Sequence, residues 1–174
     1  MIRKPKTGNG WVDRYIALVP EDLLLEGLKR QTQESLSLFS SLSEDQLLFR
    51  YAEGKWTIKE MLLHLIDTER IFTYRALAFA RKDTTSLPGY DENIYAANSH
   101  ANERDIKNLL EEYIVVRTCT VATFSGFPIS SLNNRGIANN VEMSVSSIGF
   151  AILGHEMHHI NVINERYLSA LPKI

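Results

Sequence analysis

The sequence predicts an all-α protein, a four-helix bundle with two long loops. Four segments place apolar residues at the three- and four-residue spacing of one helix face, and no stretch sustains the alternation typical of a strand. Pieces rich in glycine, proline and asparagine separate these segments. The length of 174 residues suits one domain that can bury a sizeable apolar core.

The first helix is predicted to open at Val19-Pro20-Glu21-Asp22. Proline suits the first helical position, and acidic residues in the first turn are favoured by the helix dipole. Helical spacing then connects Leu24, Leu28, Ser35, Phe39 and Leu42. The basic and polar start of the chain favours a flexible N-terminal segment over residues 1–18, which leaves residues 19–174 as the single bundle domain.

The second helix has the strongest local start signal in the sequence. Thr57 followed by Glu60 is a capping box, and Trp56 with Met61 can form the hydrophobic staple around it. The apolar stripe that follows predicts a helix running to about Lys82.

The third and fourth helices are predicted after Ser99 and from about Ser144 to Leu168. The first half of the fourth helix is apolar on nearly every side, which predicts that it lies buried among the others. Residues 83–99 and 125–143 are long for bundle connections, and loops of that length are often functional or partly structured.

Histidines supply the chemistry of this sequence. His155 and His159 are four residues apart on the fourth helix, on its apolar face, and His64 projects from the apolar face of the second helix. Three inward histidines can bind one ion and leave positions open, which is the pattern of a catalytic metal site. His158 offers an alternative pairing with His155, and His100 is expected to be a solvated loop residue.

A second pattern overlaps the first, because residues 155–159 also satisfy the H-E-x-x-H signature of zinc peptidases. That reading would make Glu156 the general base, but no strand signal supports a peptide-binding edge. Glu156 and Asp67 are the carboxylates adjacent in sequence to the predicted ligands. Each is a candidate base or acceptor for an imidazole N–H, and each is equally well explained as a solvated carboxylate.

Composition limits the partners. A formal charge of −2 argues against nucleic acid, and no apolar run reaches the length of a membrane span, so we expect a cytoplasmic protein. The single cysteine, Cys119, excludes a cysteine-based metal site, and any thiol chemistry would need an external thiol. Imidazole ligands suit zinc, nickel or iron, among which the sequence does not choose.

Two runs of the sequence resemble the DinB-like superfamily, which includes the YfiT-type proteins. They are Gly-Lys-Trp-Thr-Ile-Lys-Glu-Met-Leu-Leu-His-Leu over residues 54–65 and Gly-His-Glu-Met-His-His over residues 154–159. The resemblance implies an up-down-down-up bundle in which His64, His155 and His159 hold a divalent metal. It also implies a homodimer and a family of thiol-dependent S-transferases and isomerases, with many members of unknown reaction.

The expected function is therefore that of a metal-dependent enzyme, a hydrolase or a thiol-dependent S-transferase, acting on a small molecule. A low-molecular-weight thiol is the expected co-substrate of the second reaction. A non-catalytic metal-binding module associated with stress is the main alternative, and the zinc peptidase is the weaker one.

Overall fold

The computed structural model describes residues 1–6, 10–20 and 22–170. Four long helices form a bundle, and shorter helices flank them. In chain order the helices are α1 (Trp11–Leu18), α2 (Leu24–Ser40), α3 (Glu44–Leu47), α4 (Ile58–Ala80), α5 (Glu92–Ala97), α6 (Ile106–Ser125) and α7 (Val145–Val162). Among the described residues, no helix is both long enough and apolar enough to cross a membrane.

Helices α2 and α7 run parallel to each other. The Gln31 side chain donates a hydrogen bond to the carbonyl oxygen of Leu153 at 3.0 Å, and one turn further along both helices Ser35 donates to Glu156. The first and last helices of the bundle therefore point in the same direction.

Helices α4 and α6 are also parallel, since Arg117 contacts Glu69 and, one turn further on, Thr73 and Thr120 lie 3.0 Å apart. Contacts of His64, early in α4, with residues late in α7 make those two helices antiparallel. The bundle is thus up-down-down-up, and the predicted fold class is confirmed.

Helices α4 and α7 begin where the sequence predicts. The Thr57 hydroxyl accepts a hydrogen bond from the amide of Glu60 at 3.0 Å, while the Glu60 carboxylate accepts from the amide of Thr57 at 2.7 Å. Ser144 caps α7, which a π-helical turn, Ile163–Tyr167, extends towards the C-terminus. The start of α4 matters most here because it fixes where His64 lies, two turns further on.

Helices α2 and α6 begin later than predicted. The chain is extended at Val19, so Pro20 precedes the helix instead of opening it, and Glu21 lies outside the described residues. Helix α6 begins after Asp105, whose side chain accepts a hydrogen bond from the amide of Lys107 at 2.7 Å. An acidic cap next to the apolar stripe determines this start, and a short 3₁₀ turn occupies the residues after Ser99.

Part of the N-terminal segment predicted to be flexible is helical and packed. Helix α1 lies against α7 with Val12 and Ile16 buried, one turn apart on the same face. Gly154 permits this approach, because a Cβ there would lie 1.9 Å from the carbonyl oxygen of Tyr15. Two apolar residues are too few to predict a helix from sequence, and the stabilising surface is supplied by α7. Residues 7–9 of the same segment lie outside the described residues.

A small hairpin corrects the prediction that the chain has no strand. Strands β1 (Arg135–Ala138) and β2 (Val141–Ser144) pair antiparallel within the second long loop. Asn139 and Asn140 form the turn with φ of 51° and 60°, the left-handed conformation that two-residue hairpin turns require and that asparagine tolerates. Four-residue strands are too short to show clear alternation in the sequence.

Two apolar clusters fill the bundle, one towards each end, and a polar layer lies between them. On α2, α6 and α7 the residues of this layer fall between members of the two clusters, and on α4 Glu69 does so, while His64 lies one turn earlier beside Leu63 and Leu65. The layer contains the buried side chains Gln31, Ser35, His64, Glu69, Arg117, His155 and Glu156. The predicted metal ligands therefore belong to a polar layer at mid-bundle.

Candidate metal centre

Three histidines meet at one point in the polar layer. His64 projects from α4, and His155 and His159 project from successive turns of α7. The Nε2 atom of His155 lies 3.1 Å from the Nε2 atom of His64 and 3.1 Å from that of His159. One ligand atom from each residue falls within 4.8 Å of the others. The structure thus brings together the three residues that the sequence selects.

The donor set fits a divalent ion better than a set of hydrogen bonds. A ring nitrogen offers either one lone pair or one hydrogen in its plane, so the Nε2 atom of His155 can make only one of its two close contacts as a hydrogen bond. Two nitrogens bound to an ion at about 2.0–2.1 Å are about 2.9 Å apart at a right angle and about 3.4 Å apart at the tetrahedral angle. The observed 3.1 Å lies between these limits.

Burial keeps the three imidazoles neutral. It lowers the pKa of His64 to about 4 and, with a smaller contribution from the neighbouring rings, that of His159 to about 3. The pKa of His155 is also held well below its ordinary value, chiefly by burial. At neutral pH all three rings therefore have a free lone pair, which is the form that binds metal.

Thr68 and Tyr90 form a chain of hydroxyl groups that begins at the Nδ1 side of the His64 ring. The Nδ1 atom of His64 lies 3.5 Å from the hydroxyl of Thr68, one turn along α4, and this hydroxyl lies 2.5 Å from the hydroxyl of Tyr90. If Nε2 binds an ion, Nδ1 carries the hydrogen and Thr68 accepts it. Burial raises the pKa of Tyr90, so its phenol stays protonated.

A cavity of about 310 Å³ adjoins the three histidines. Aromatic side chains from α1, α4 and the segment before α4 form much of its wall, and the first long loop and the hairpin close the rest. The lining includes Trp11, Tyr15, Trp56, Phe72, Arg75, Tyr90, Glu92, Val141 and Met143. The His64 ring lies 4.8 Å from the Trp56 ring, and the His155 ring lies 5.3 Å from that of Tyr15, between centroids. A small molecule can therefore contact the imidazoles and an aromatic wall together.

Neither carboxylate that the sequence offers as a base lies in this cavity. Glu156 is buried on another side of α7, where it accepts hydrogen bonds from Ser35, Arg117 and, at 2.8 Å, Tyr113. Asp67 pairs with Arg70 at 3.2 Å. Neither carboxylate hydrogen-bonds to an imidazole. The H-E-x-x-H reading thereby loses its general base, because the carboxylate of Glu156 is engaged elsewhere.

The remaining histidines differ in their surroundings. His158 is exposed and also lines the cavity, where its ring lies edge-on to Tyr15 at 5.8 Å. It does not belong to the converging set. His100 is an exposed loop residue paired with Glu103 at 3.0 Å, as the sequence indicates.

Sequence reasoning missed several residues of the cavity wall. Thr68, Phe72 and Arg75 follow His64 by four, eight and eleven residues, which places all four on one face of α4. That spacing was available as a signal. Trp11 and Tyr15 had none, because their position depends on how α1 docks onto α7.

The fold and the cluster define an up-down-down-up four-helix-bundle protein with three converging histidines. A sequence profile of the DinB superfamily matches residues 28–163, and the chain belongs to that superfamily. Among solved structures it is similar to YfiT from Bacillus subtilis, which is described as a probable metal-dependent hydrolase with an unusual four-helix bundle topology. The TM-score is 0.69 at 17% identity, over 95% of this chain and 92% of that one. None of the curated proteins compared with the chain matches it significantly.

Proposed function

We propose that this protein is a metal-dependent enzyme acting on a small molecule, either a hydrolase or a thiol-dependent S-transferase. The observation that carries the proposal is the convergence of the Nε2 atoms of His64, His155 and His159 at the wall of an open cavity. The description of YfiT as a probable metal-dependent hydrolase supports it. The expected homodimer and cytoplasmic location stay predictions.

Different residues of the cavity have different proposed roles. When bound, a divalent ion such as zinc, nickel or iron lowers the pKa of a water or thiol ligand and so provides a nucleophile at neutral pH. With an ion on Nε2 of His64, Nδ1 donates to the Thr68 hydroxyl and Thr68 donates to Tyr90. The Tyr90 hydroxyl is then free to donate to a substrate oxygen. The aromatic wall holds the apolar part of the substrate and excludes water.

A thiol, in the transferase reaction, has to come from outside the chain. Cys119 is exposed on α6 and does not line the cavity. The open cavity also favours an enzyme over a metal-storing module, because such a module would close around its ion.

Metal analysis of purified variants tests the proposal. The protein is stripped with a chelator, incubated with zinc, nickel or iron(II), passed through a desalting column and measured by mass spectrometry of the metal. Wild type is expected to retain about one ion per chain, and both His64→Ala and His159→Ala are expected to lose it.

Two control variants make the result specific. His158→Ala and His100→Ala should keep the ion, since neither residue belongs to the converging set. Retention of metal in His64→Ala would mean that His155 and His159 on α7 bind the ion without α4. A wild type that retains no metal would contradict the proposal. Ester hydrolysis and conjugation of a small thiol to an electrophile, assayed side by side, then separate the two reactions.

A further inference from the structure

Arg75 is a buried cation without an acidic partner among the described residues. The residue has 5% relative exposure, and among the described residues its one hydrogen bond runs to the carbonyl oxygen of Pro88 at 2.8 Å. The Phe72 ring lies under the guanidinium, 5.7 Å from ring centroid to Cζ. A guanidinium with one neutral acceptor and no carboxylate partner is poorly compensated for its burial, and its open side faces the cavity.

This guanidinium lines the same cavity as the histidines. Arg75 follows His64 by eleven residues, three turns of α4, so both project from one face about 16 Å apart along the axis. Long side chains on a helix lean towards its N-terminus, which brings the guanidinium back towards the imidazoles. The cavity therefore has the histidines at one end and a cation at the other.

Within the described part of the chain, the only carboxylate lining this cavity is Glu92, an exposed residue at the start of α5. It makes no ion pair with Arg75. Apolar and aromatic side chains occupy most of the wall between the two ends. Since no described residue supplies a counter-charge to Arg75, a bound anionic ligand could supply it.

We propose that Arg75 is the anion-binding group of this cavity, and that its ligand is a small organic carboxylate with an apolar body. The guanidinium fork binds the carboxylate, and the aromatic wall holds the body in reach of the histidines. The inference rests on the proposed function for the role of the histidine end, but the anion end is testable without metal.

The two tryptophans of the chain provide a direct readout, because both Trp11 and Trp56 line the cavity. Metal-free protein is titrated with 3-phenylpropionate and, separately, with 3-phenylpropanamide, while tryptophan fluorescence is followed. The two probes share shape and apolar body and differ in charge. The carboxylate is expected to bind about 10- to 100-fold more tightly than the amide, which is the difference a charge-assisted hydrogen-bond pair produces.

Variants at Arg75 assign that difference to one residue. Arg75→Gln should weaken carboxylate binding about 10- to 100-fold and leave amide binding unchanged, while Arg75→Lys should restore part of it. Arg70→Gln is the matched control, since Arg70 lies on α4, is exposed and pairs with Asp67 and Glu112. A cooperative thermal unfolding transition and a wild-type far-UV circular dichroism spectrum establish that the variants fold.

Equal binding of the two probes, or no saturable fluorescence change up to about 10 mM carboxylate, would overturn the inference. So would an Arg75→Gln variant that binds the carboxylate as wild type does. If that variant does not fold, the preference of wild type for carboxylate over amide decides alone. A wild type that prefers the carboxylate but retains no metal would contradict the proposed function and leave the anion site in place.

Discussion

At the scale of single residues, three histidines change their chemistry because of where the fold puts them. His64 and His159 have their pKa lowered to about 4 and about 3 by burial, whereas the exposed His100 has its pKa raised by Glu103. A buried, neutral imidazole that faces two similar rings has a free lone pair and is suited to bind a metal ion. The same residue type on the loop is a solvated partner of a carboxylate.

The lowered pKa values predict how the metal-free protein responds to acid. The unfolded chain binds protons on His64 and His159 near pH 6.5, but the folded chain binds them only near pH 4 and pH 3. Folding stability from these rings is therefore complete above pH 6.5 and is lost as the pH falls from 6.5 towards 3. Urea unfolding at a series of pH values measures it.

The double variant His64→Gln/His159→Gln is the reference for this measurement. Its free energy of unfolding should fall less steeply between pH 6.5 and pH 4 than that of wild type, because it lacks the two histidines with lowered pKa. Carboxylates titrate in both proteins, so some decrease remains. Parallel curves would show that these histidines are not shifted.

A buried charge cluster lies beside the histidines and gives a second residue-scale prediction. Arg117 donates to Glu69 at 2.9 Å and also contacts Glu156, with all three side chains nearly inaccessible to solvent. Arg117→Met leaves two carboxylates buried without a cation. We expect the free energy of unfolding to fall by about 3–5 kcal/mol, measured by urea denaturation.

Two further variants serve as controls for the Arg117→Met prediction. Glu156→Gln should cost much less than Arg117→Met, because it leaves the Glu69 and Arg117 charges balanced. Arg135→Met removes an exposed pair with Glu142 and should change stability by no more than about 1 kcal/mol. A loss for Arg117→Met as small as that of the exposed pair would contradict a buried network.

At the scale of elements, the docking of α1 onto α7 completes the cavity. Tyr15 reaches the histidines only because α7 has no side chain at Gly154, where a Cβ would meet the carbonyl oxygen of Tyr15 at 1.9 Å. A contact with backbone at that distance cannot be relieved by a rotamer change. The glycine beside His155 is thus explained by packing.

Gly154→Ala is therefore predicted to displace α1 and to change the environment of Trp11 on it. The melting temperature should fall, and the tryptophan emission should shift to longer wavelength, as the α1 side of the cavity opens to water. The metal content should persist, because His64, His155 and His159 belong to α4 and α7. Thermal melts and emission spectra provide the check.

Gly126→Ala is the matched control for Gly154→Ala. A Cβ at Gly126 would lie 3.4 Å from the carbonyl oxygen of Ala122 and 3.6 Å from that of Thr123, which are ordinary van der Waals distances, so little change is expected. Equal effects of the two substitutions would mean that the loss of stability reflects alanine itself and not the contact with α1.

At the scale of the whole molecule, a polar layer divides the bundle core in two. The histidines and the charge cluster centred on Arg117 lie at the same level of the four helices, between the two apolar clusters. An ion bound there joins α4 to α7 across the middle of the bundle. We therefore expect metal binding and folding to be coupled, because the three histidines meet only in the folded chain.

This coupling predicts a higher melting temperature with metal. At a free metal concentration about 100 times the dissociation constant, the ion adds about 2.7 kcal/mol of stability, which corresponds to a rise of about 5–10 °C for a chain of this size. Differential scanning calorimetry with and without zinc measures the rise. His159→Ala should show none, and an equal rise in that variant would indicate binding elsewhere.

The sequence predicts a feature well when the residues that determine it are close together along the chain. The capping box at Thr57 and Glu60 and the apolar run that follows Ser144 are local signals, and they placed the starts of α4 and α7 correctly. The helical spacing of His155 and His159 and the inward face of His64 are local too. Together with the resemblance to the DinB-like superfamily, they identified the cluster that the structure assembles.

The sequence alone thus determined the bundle and its histidines, while the tertiary structure decided which other groups surround them. Helical periodicity depends on neighbours three and four residues away, but the helix Trp11–Leu18 forms because α7 covers it. The same limit explains Glu156, which is next to a ligand in sequence but turns to Arg117 on a third helix. Which charges pair in a core is a matter of helix packing, and that depends on contacts far apart in the chain.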